Sequence, residues 1–210
     1  MQISRSSIQS ALQLANFDPL GAQEQMMPKS RLRQRPLPEP GEARQGAVLM
    51  LLYPAAGTLH LILIKRCDDL PHHPGQIAFP GGRREDGESL LQAALRETEE
   101  EVGVSPAAVT ILGSLTPIYI PPSDFEVYPF VGWHDGGRPV FRPNPREVAE
   151  LIEADLAQLR DPTCRNHETW RLRHEPIDVP YFNLPPHKIW GATAIILSEF
   201  LARLETVTNR

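Results

Sequence analysis

The chain has 210 residues, of which 41% are apolar and 22% are charged, and its formal net charge at pH 7 is −5. This composition is typical of one soluble globular domain with an appendage, and an acidic chain of this kind is not expected to bind nucleic acids generally. The sequence has neither the ~18-residue apolar run of a membrane span nor a hydrophobic N-terminal leader, so we expect a cytoplasmic protein that contacts no membrane.

The first predicted element is a short amphipathic helix over residues 6–17, and a proline-rich stretch from Pro28 to Arg44 follows it. Proline removes amide donors and interrupts regular structure, so residues 1–45 are interpreted as a helix and a Pro/Arg-rich arm. The arm carries four basic residues, Lys29, Arg31, Arg33 and Arg35. They are interpreted either as part of a mobile tail or as contacts for an anionic ligand. Residues 46–210 are interpreted as one domain.

Short apolar runs in the domain predict strands, and longer segments with helical periodicity predict helices. Strands are expected over residues 47–53, 59–65, 77–79, 109–120 and 126–133, with a late hairpin over 169–174 and 177–182. Helices are expected over residues 88–102, 147–159 and 190–204. Because strands and helices alternate and several strands return antiparallel, this order predicts an α/β fold with a mixed β-sheet flanked by helices.

The helix predicted over residues 88–102 gathers three carboxylates in its last turn. Glu97, Glu100 and Glu101 lie within one arc because residues i, i+3 and i+4 are neighbours on a helix. The negative end of the helix dipole disfavours each anionic side chain there by roughly 0.3–1 kcal/mol. A hard divalent ion such as Mg²⁺ or Mn²⁺ would reverse that penalty. A solvated acidic face is the alternative interpretation.

Residues beside this acidic arc supply further polar groups. Gly81 and Gly82 allow backbone carbonyls and amides to approach a ligand or an ion closely, or else they form an ordinary turn. Arg96 is expected to orient a carboxylate or to neutralise a phosphate oxygen, and a surface ion pair is the alternative. Gly103 is well placed to end the helix.

The spacing of these residues is highly specific. Gly82 is followed after five residues by Glu88, and after seven more by the run from Arg96 to Val104. This pattern resembles the Nudix box, with Thr98 where an aliphatic residue is usual. The resemblance implies a Nudix-type α/β/α sandwich and a hydrolase that cleaves diphosphate linkages with Mg²⁺ or Mn²⁺.

The resemblance also implies roles for the box residues. The metal would be bound by Glu97, Glu100 and Glu101, often together with the backbone carbonyl of Gly81. The ion would bridge diphosphate oxygens and polarise phosphorus for attack by water. Many family members use a loop acid as the general base, so Glu147 is a candidate beside Glu97. The alternative for Glu147 is a glutamate at a helix start, where the dipole favours it.

The segment before the box resembles an additional motif of the coenzyme A pyrophosphatase branch. Arg66 ends an aliphatic strand, Gly75 follows in a loop, and residues 79–82 are Phe-Pro-Gly-Gly. Pro71 stands where the branch has a second arginine. The resemblance implies hydrolysis of coenzyme A or acyl-coenzyme A to 3′,5′-ADP and (acyl-)4′-phosphopantetheine. The expected substrate contacts are Arg66, His73, Gly75, Gly81, Gly82 and Arg83.

Two other functions are left open by the sequence. ADP-ribose, a dinucleotide or another nucleoside diphosphate derivative is the alternative substrate. A Nudix-fold nucleotide-binding module without turnover is an alternative of another class. Such modules typically lose carboxylates of the box, whereas this chain keeps all of them. The sequence also leaves a homodimer open.

Overall fold

The computed structural model describes residues 3–28, 43–70, 73–172 and 175–208. Its helices are α1 (Arg5–Leu12), α2 (Pro19–Glu24), α3 (Leu90–Val102), α4 (Leu156–Arg160) and α5 (Gly191–Thr208). Its strands are β1 (Arg44–Ala55), β2 (Thr58–Arg66), β3 (Ile77–Ala78), β4 (Gly81–Arg83), β5 (Val109–Ser114), β6 (Ile118–Ile120), β7 (Phe125–His134), β8 (Val148–Asp155), β9 (Arg165–Leu172), β10 (Glu175–Leu184) and β11 (His187–Trp190). Among the described helices, none combines the length and the apolar character that crossing a membrane requires.

β1 is the central strand of a mixed sheet built from β1 to β8. It pairs in parallel with β7 and antiparallel with β2. The register with β2 begins at Leu52 opposite Leu61 and runs toward the connecting turn. Nearer its start, β1 pairs with β4, where Gly46 lies opposite Arg83, while β3 pairs with the end of β2. β1 and β2 therefore diverge at one end of the sheet, and β3 and β4 fill that end.

The two faces of this sheet bury their apolar side chains against different helices. One face contributes Leu49, Leu51, Ile62 and Ile64 to a cluster with Ala93 and Ala94 of α3. The other face contributes Met50, Leu52, Leu61 and Leu63 to a cluster with Ile195, Leu197 and Phe200 of α5. Successive residues of β1 and β2 thus point to opposite faces, as they do in any strand. The expected mixed sheet flanked by helices is confirmed.

The two N-terminal helices belong to the same core as α5. Ile8, Ala11, Met26 and Met27 of this segment are buried members of that core cluster. Glu199 of α5 is fully buried, and its carboxylate accepts hydrogen bonds from Gln23 at 2.8 Å and Arg203 at 2.9 Å. The hydroxyl of Thr116 donates a third bond at 3.0 Å. The predicted arm residues Lys29, Arg31, Arg33 and Arg35 lie outside the described residues.

β9, β10 and β11 form a separate antiparallel sheet. Phe182 is fully buried and belongs to the core cluster that includes α5. Trp170 and Trp190 pack edge to face, with 4.8 Å between their ring centroids. His187 Nε2 lies 3.1 Å from Glu150 Oε1 on β8, and this contact joins the small sheet to the large one.

The helix predicted over residues 147–159 is wrong over most of its length. β8 occupies the segment and pairs antiparallel with β2, and only α4 is helical. The apolar residues fit a helical period, but strand pairing buries Val148, Ile152 and Ala154 in the sheet. Tertiary pairing of this kind overrides local periodicity. Glu147 therefore precedes a strand instead of starting a helix.

Other predicted elements differ from the structure mainly at their ends. α1 stops at Leu12, whereas the prediction continued to residue 17. The strand predicted over residues 109–120 is divided into β5 and β6. β4 was not predicted, because its two glycines indicate a turn more often than a strand. α2 and β11 were also not predicted.

Candidate active site

Local hydrogen bonds define where α3 begins and ends. The Ser89 hydroxyl accepts a bond from the Gln92 N–H, and the Gln92 side chain accepts one from the Ser89 N–H. Gly103 ends the helix with φ of 73°, a left-handed conformation that glycine adopts readily. The predicted arc of glutamates is thereby fixed in the last turn before Gly103.

The last turn carries Glu101 into the protein interior. The side chain is 1% exposed; its Oε2 accepts a bond from the Gly81 N–H at 2.9 Å, and its Oε1 accepts one from Arg66 Nη1 at 3.2 Å. Burial raises the pKa of Glu101 to about 8, although the bonds from Gly81 and Arg66 oppose this. The negative charges of Glu97 and Glu147 raise that pKa further. Glu101 is therefore a buried carboxyl group, unlike the solvated acid considered from the sequence.

Glu97 lies above the backbone of β4. A Cβ atom at Gly82 would be only 2.4 Å from the carboxylate carbon of Glu97, so a larger residue there would displace that carboxylate. Burial raises the pKa of Glu97, and the hydrogen bond from Arg96 partly opposes the effect. The sequence predicts that a ligand or an ion approaches the backbone closely at Gly82. In the structure the Glu97 carboxylate lies at that place.

Arg96 organises the acidic side chains on the outer side of α3. Its Nε and Nη2 donate to the two carboxylate oxygens of Glu88 at 3.1 and 2.9 Å, a bidentate pair. Its Nη1 donates to Glu97 at 2.9 Å and to Glu100 at 3.3 Å. Nη2 also donates to the backbone carbonyl of Arg83 at 3.2 Å. Arg96 therefore orients carboxylates, while the Arg83 residue itself is exposed.

Glu147 comes to the same end of the sheet from the segment before β8. Its carbonyl accepts a bond from the Cys67 N–H at 2.9 Å, beside the end of β2. Its Oε1 accepts a bond from Asn144 Nδ2 at 3.0 Å. The negative charge of Glu147 raises the pKa of both Glu97 and Glu101, so its carboxylate is within electrostatic reach of both.

The loop between β2 and β3 carries two of the predicted substrate contacts. Gly75 has φ of 65°, and a Cβ atom there would lie 2.6 Å from Asp68 Oδ1, so glycine closes the loop. His73 also has positive φ, and its Nδ1 lies 3.1 Å from Gln76 Oε1. The hydrogen bonds found for the described residues do not join His73 or Gly75 to the glutamates. Pro71 lies outside the described residues.

The acidic groups of this site suit a hard divalent cation in their chemistry. The three glutamates of α3 offer oxygen ligands, and a cation would compensate the buried charge of Glu101. Within the described residues, however, no three His, Cys, Asp or Glu side chains are grouped so that they could share one ion. The carboxylate oxygens bond instead to Arg96, Arg66 and Gly81. The donors fit such an ion in their chemistry, but the glutamates would have to exchange these bonds for the ion before three of them could share it.

Comparison with protein families and relatives identifies the family of this chain. The NUDIX domain model matches residues 43–176, a range that contains all the site residues described above. The chain belongs to the Nudix hydrolase family. The Nudix hydrolase NudL of Pectobacterium atrosepticum is 35% identical over 176 residues, which cover 78% of this chain and 84% of that protein. NudL of Yersinia pestis is 37% identical over 148 residues, which cover 65% of this chain and 68% of that protein.

Solved Nudix structures share the fold. The MutT protein of Methanosarcina mazei has a TM-score of 0.53 at 15% identity, covering 83% of this chain and 100% of that one. The Nudix hydrolase RenU of M. smegmatis has a TM-score of 0.52 at 21% identity, covering 80% of this chain and 86% of that one. Identities this low concern the fold alone, and they confirm the Nudix fold expected from the box. Nudix hydrolases generally use divalent ions such as Mg²⁺ or Mn²⁺.

The Nudix box explains most, but not all, of the residues that meet at the site. Glu101 bonds to Gly81 and Glu97 lies against Gly82, whereas Glu100 is exposed. Asn144 was not predicted. The available signal was the Asn-Pro-Arg-Glu run, because asparagine often hydrogen-bonds to its own backbone two residues on.

Proposed function

We propose that this Nudix hydrolase is Mg²⁺- or Mn²⁺-dependent, acts in the cytoplasm and cleaves the diphosphate linkage of coenzyme A or acyl-coenzyme A. The products would be 3′,5′-ADP and 4′-phosphopantetheine or its acyl derivative. The observation that carries the proposal is the buried Glu101, held by Gly81 and Arg66 beside Glu97 and Glu147. Acidic groups with perturbed pKa values, gathered in this way, are typical of a functional site.

Three of the four acidic residues of α3 have a proposed role. Glu97, Glu100 and Glu101 would hold the divalent ion, together with the backbone carbonyl of Gly81. When bound, the ion supplies neutralisation of the diphosphate charge and polarisation of phosphorus. Arg96 would keep Glu97 and Glu100 oriented, since one of its nitrogens donates to both.

Glu147 is the proposed general base, because it reaches the site from a separate segment and its side chain is not bonded to Arg96 or Arg66 in the described contacts. It would take one proton from the attacking water while the water oxygen bonds to one phosphorus. The bond from that phosphorus to the bridging oxygen breaks, and the bridging oxygen leaves with the other phosphate. Each product thus carries a phosphate monoester, and Glu147 returns its proton to solvent. Glu97 is the alternative base.

The segment that begins at Arg66 supports coenzyme A as the substrate. The Arg66 side chain is 23% exposed, and one of its nitrogens bonds to Glu101. Guanidinium has five N–H donors, so the remaining donors are available for a phosphate oxygen. Arg83, His73 and Gly75, together with the backbone of Gly81 and Gly82, are the other proposed substrate contacts.

Side-by-side kinetics on coenzyme A, dephospho-coenzyme A, ADP-ribose and NADH, with Mg²⁺ and with EDTA, would test this proposal. We expect the highest kcat/KM on coenzyme A and no turnover in EDTA. Arg66→Ala should raise KM more than it lowers kcat, whereas Arg165→Ala, an arginine of similar exposure on β9, should change neither. A higher kcat/KM on ADP-ribose or NADH would discard coenzyme A as the substrate. Failure to turn over any of them would favour the nucleotide-binding module.

A further inference from the structure

The segment before β8 is docked on the end of α3. The Arg142 N–H donates to the Val102 carbonyl at 2.8 Å, and the Asn144 N–H donates to the Glu101 carbonyl at 3.0 Å. The last carbonyls of a helix have no partner within the helix, so these two bonds give hydrogen-bond donors to carbonyls that the helix itself cannot satisfy. The backbone of Asn144 is thereby fixed to the residue whose side chain is most deeply buried in the site.

Both polar atoms of the Asn144 side chain form hydrogen bonds. Its Oδ1 accepts a bond from the Arg146 N–H at 3.1 Å, and its Nδ2 donates to Glu147 Oε1 at 3.0 Å. Its carbonyl accepts bonds from the N–H groups of Glu147 at 3.1 Å and Val148 at 2.9 Å. These bonds fold residues 144–148 into a compact turn. They fix both the backbone and the carboxylate of Glu147.

From this arrangement we propose that Asn144 is a positioning residue that holds the Glu147 carboxylate at the catalytic site. The inference rests on the proposed function, in which Glu147 is the general base. Asn144 Nδ2 holds Oε1 of Glu147, so that Oε2 is the oxygen that accepts the proton of water. A neutral amide suits this task, since it donates a hydrogen bond without adding charge beside the three acids Glu97, Glu101 and Glu147.

Two substitutions at Asn144 separate its hydrogen bonds. Asn144→Asp is nearly isosteric and keeps an acceptor for the Arg146 N–H, but it cannot donate to Glu147. Asn144→Ala removes both bonds and adds no charge. We expect both to lower kcat by about 10–100-fold, the range for loss of a partner that orients an active-site ligand, and to leave KM within about twofold.

A matched control is available on β9. Asn166 Nδ2 donates to the Thr163 carbonyl at 3.0 Å, remote in sequence from the site residues. Asn166→Asp makes the same chemical change as Asn144→Asp and should leave kcat and KM as in wild type. If Asn144→Ala keeps wild-type kcat while Asn144→Asp loses it, the added charge is responsible and the inference is overturned.

A double-mutant cycle with Glu147→Gln tests whether Asn144 acts through Glu147. If it does, Asn144→Asp should lower kcat in wild type and cause no further loss in the Glu147→Gln background. An equal loss in both backgrounds would show a general structural effect and would overturn the inference. Normal turnover of Glu147→Gln would instead remove Glu147 as the base, which is a failure of the proposed function. Thermal unfolding and Mn²⁺ binding of each variant identify any that does not fold.

Discussion

Among single residues, Glu101 gives the most direct test of the carboxylate site. Glu101→Gln keeps the shape of the side chain but removes its charge and with it one of the proposed oxygen ligands. We expect turnover to fall by more than the ~100-fold that loss of a supporting partner typically costs. The metal-free variant should unfold at the same denaturant concentration as wild type or a higher one, because burial disfavours the charge. Turnover near the wild-type rate would contradict a role for Glu101 in metal binding.

The pKa of Glu101 also predicts how the protein responds to pH. This pKa is about 8 in the metal-free folded protein and 4.5 as its ordinary value. The folded protein binds the Glu101 proton more tightly than the unfolded chain does. The resulting contribution to folding stability is fully present below pH 4.5 and is lost as the pH rises through 8. Mn²⁺ requires the carboxylate, so its apparent affinity should strengthen from pH 6 to pH 8. Mn²⁺ titrations at several pH values would measure this, and Glu101→Gln should flatten the dependence.

Among the secondary-structure elements, the hydrogen-bonded attachment of α2 to α5 depends on Glu199. Glu199→Ala would leave the buried Arg203 without its oppositely charged partner and would break the bonds from Gln23 and Thr116. Loss of one partner from a buried ion pair destabilises by about 3–5 kcal/mol. Glu205→Ala, on the same helix, breaks the half-exposed pair with Arg165, for which we expect a smaller change of about 1 kcal/mol. Urea unfolding would measure the difference, and equal effects would contradict it.

The elements also show which parts of the site could be predicted from the sequence. The arc of glutamates on α3 follows from helical spacing, which involves neighbours within one turn. The bond of Arg66 to Glu101 and the strand after Glu147 depend on contacts between distant segments, so local periodicity does not reveal them. The burial of Glu101 was missed for the same reason, since a helix pattern alone does not show what packs over its last turn.

In the whole molecule, the site forms where β1 and β2 diverge. β3 and β4 fill the gap and bring Gly81 and Gly82 under the last turn of α3. The α/β/α order of layers could be predicted from the alternation of elements and from the Nudix box. The packing of α2 on α5 could not, because the residues that join these helices, Gln23 and Glu199, are far apart in sequence and have no characteristic spacing.

The docking of residues 142–147 on α3 has a consequence for the order in which the protein matures. The bonds from Arg142 to Val102 and from Asn144 to Glu101 span about forty positions of the chain. Contacts of such separation form only after the intervening loop has closed, and they slow folding relative to local ones. Residues 82–104 leave the ribosome before residues 142–147, so the proposed carboxylate site would be complete only after that later segment has docked on α3.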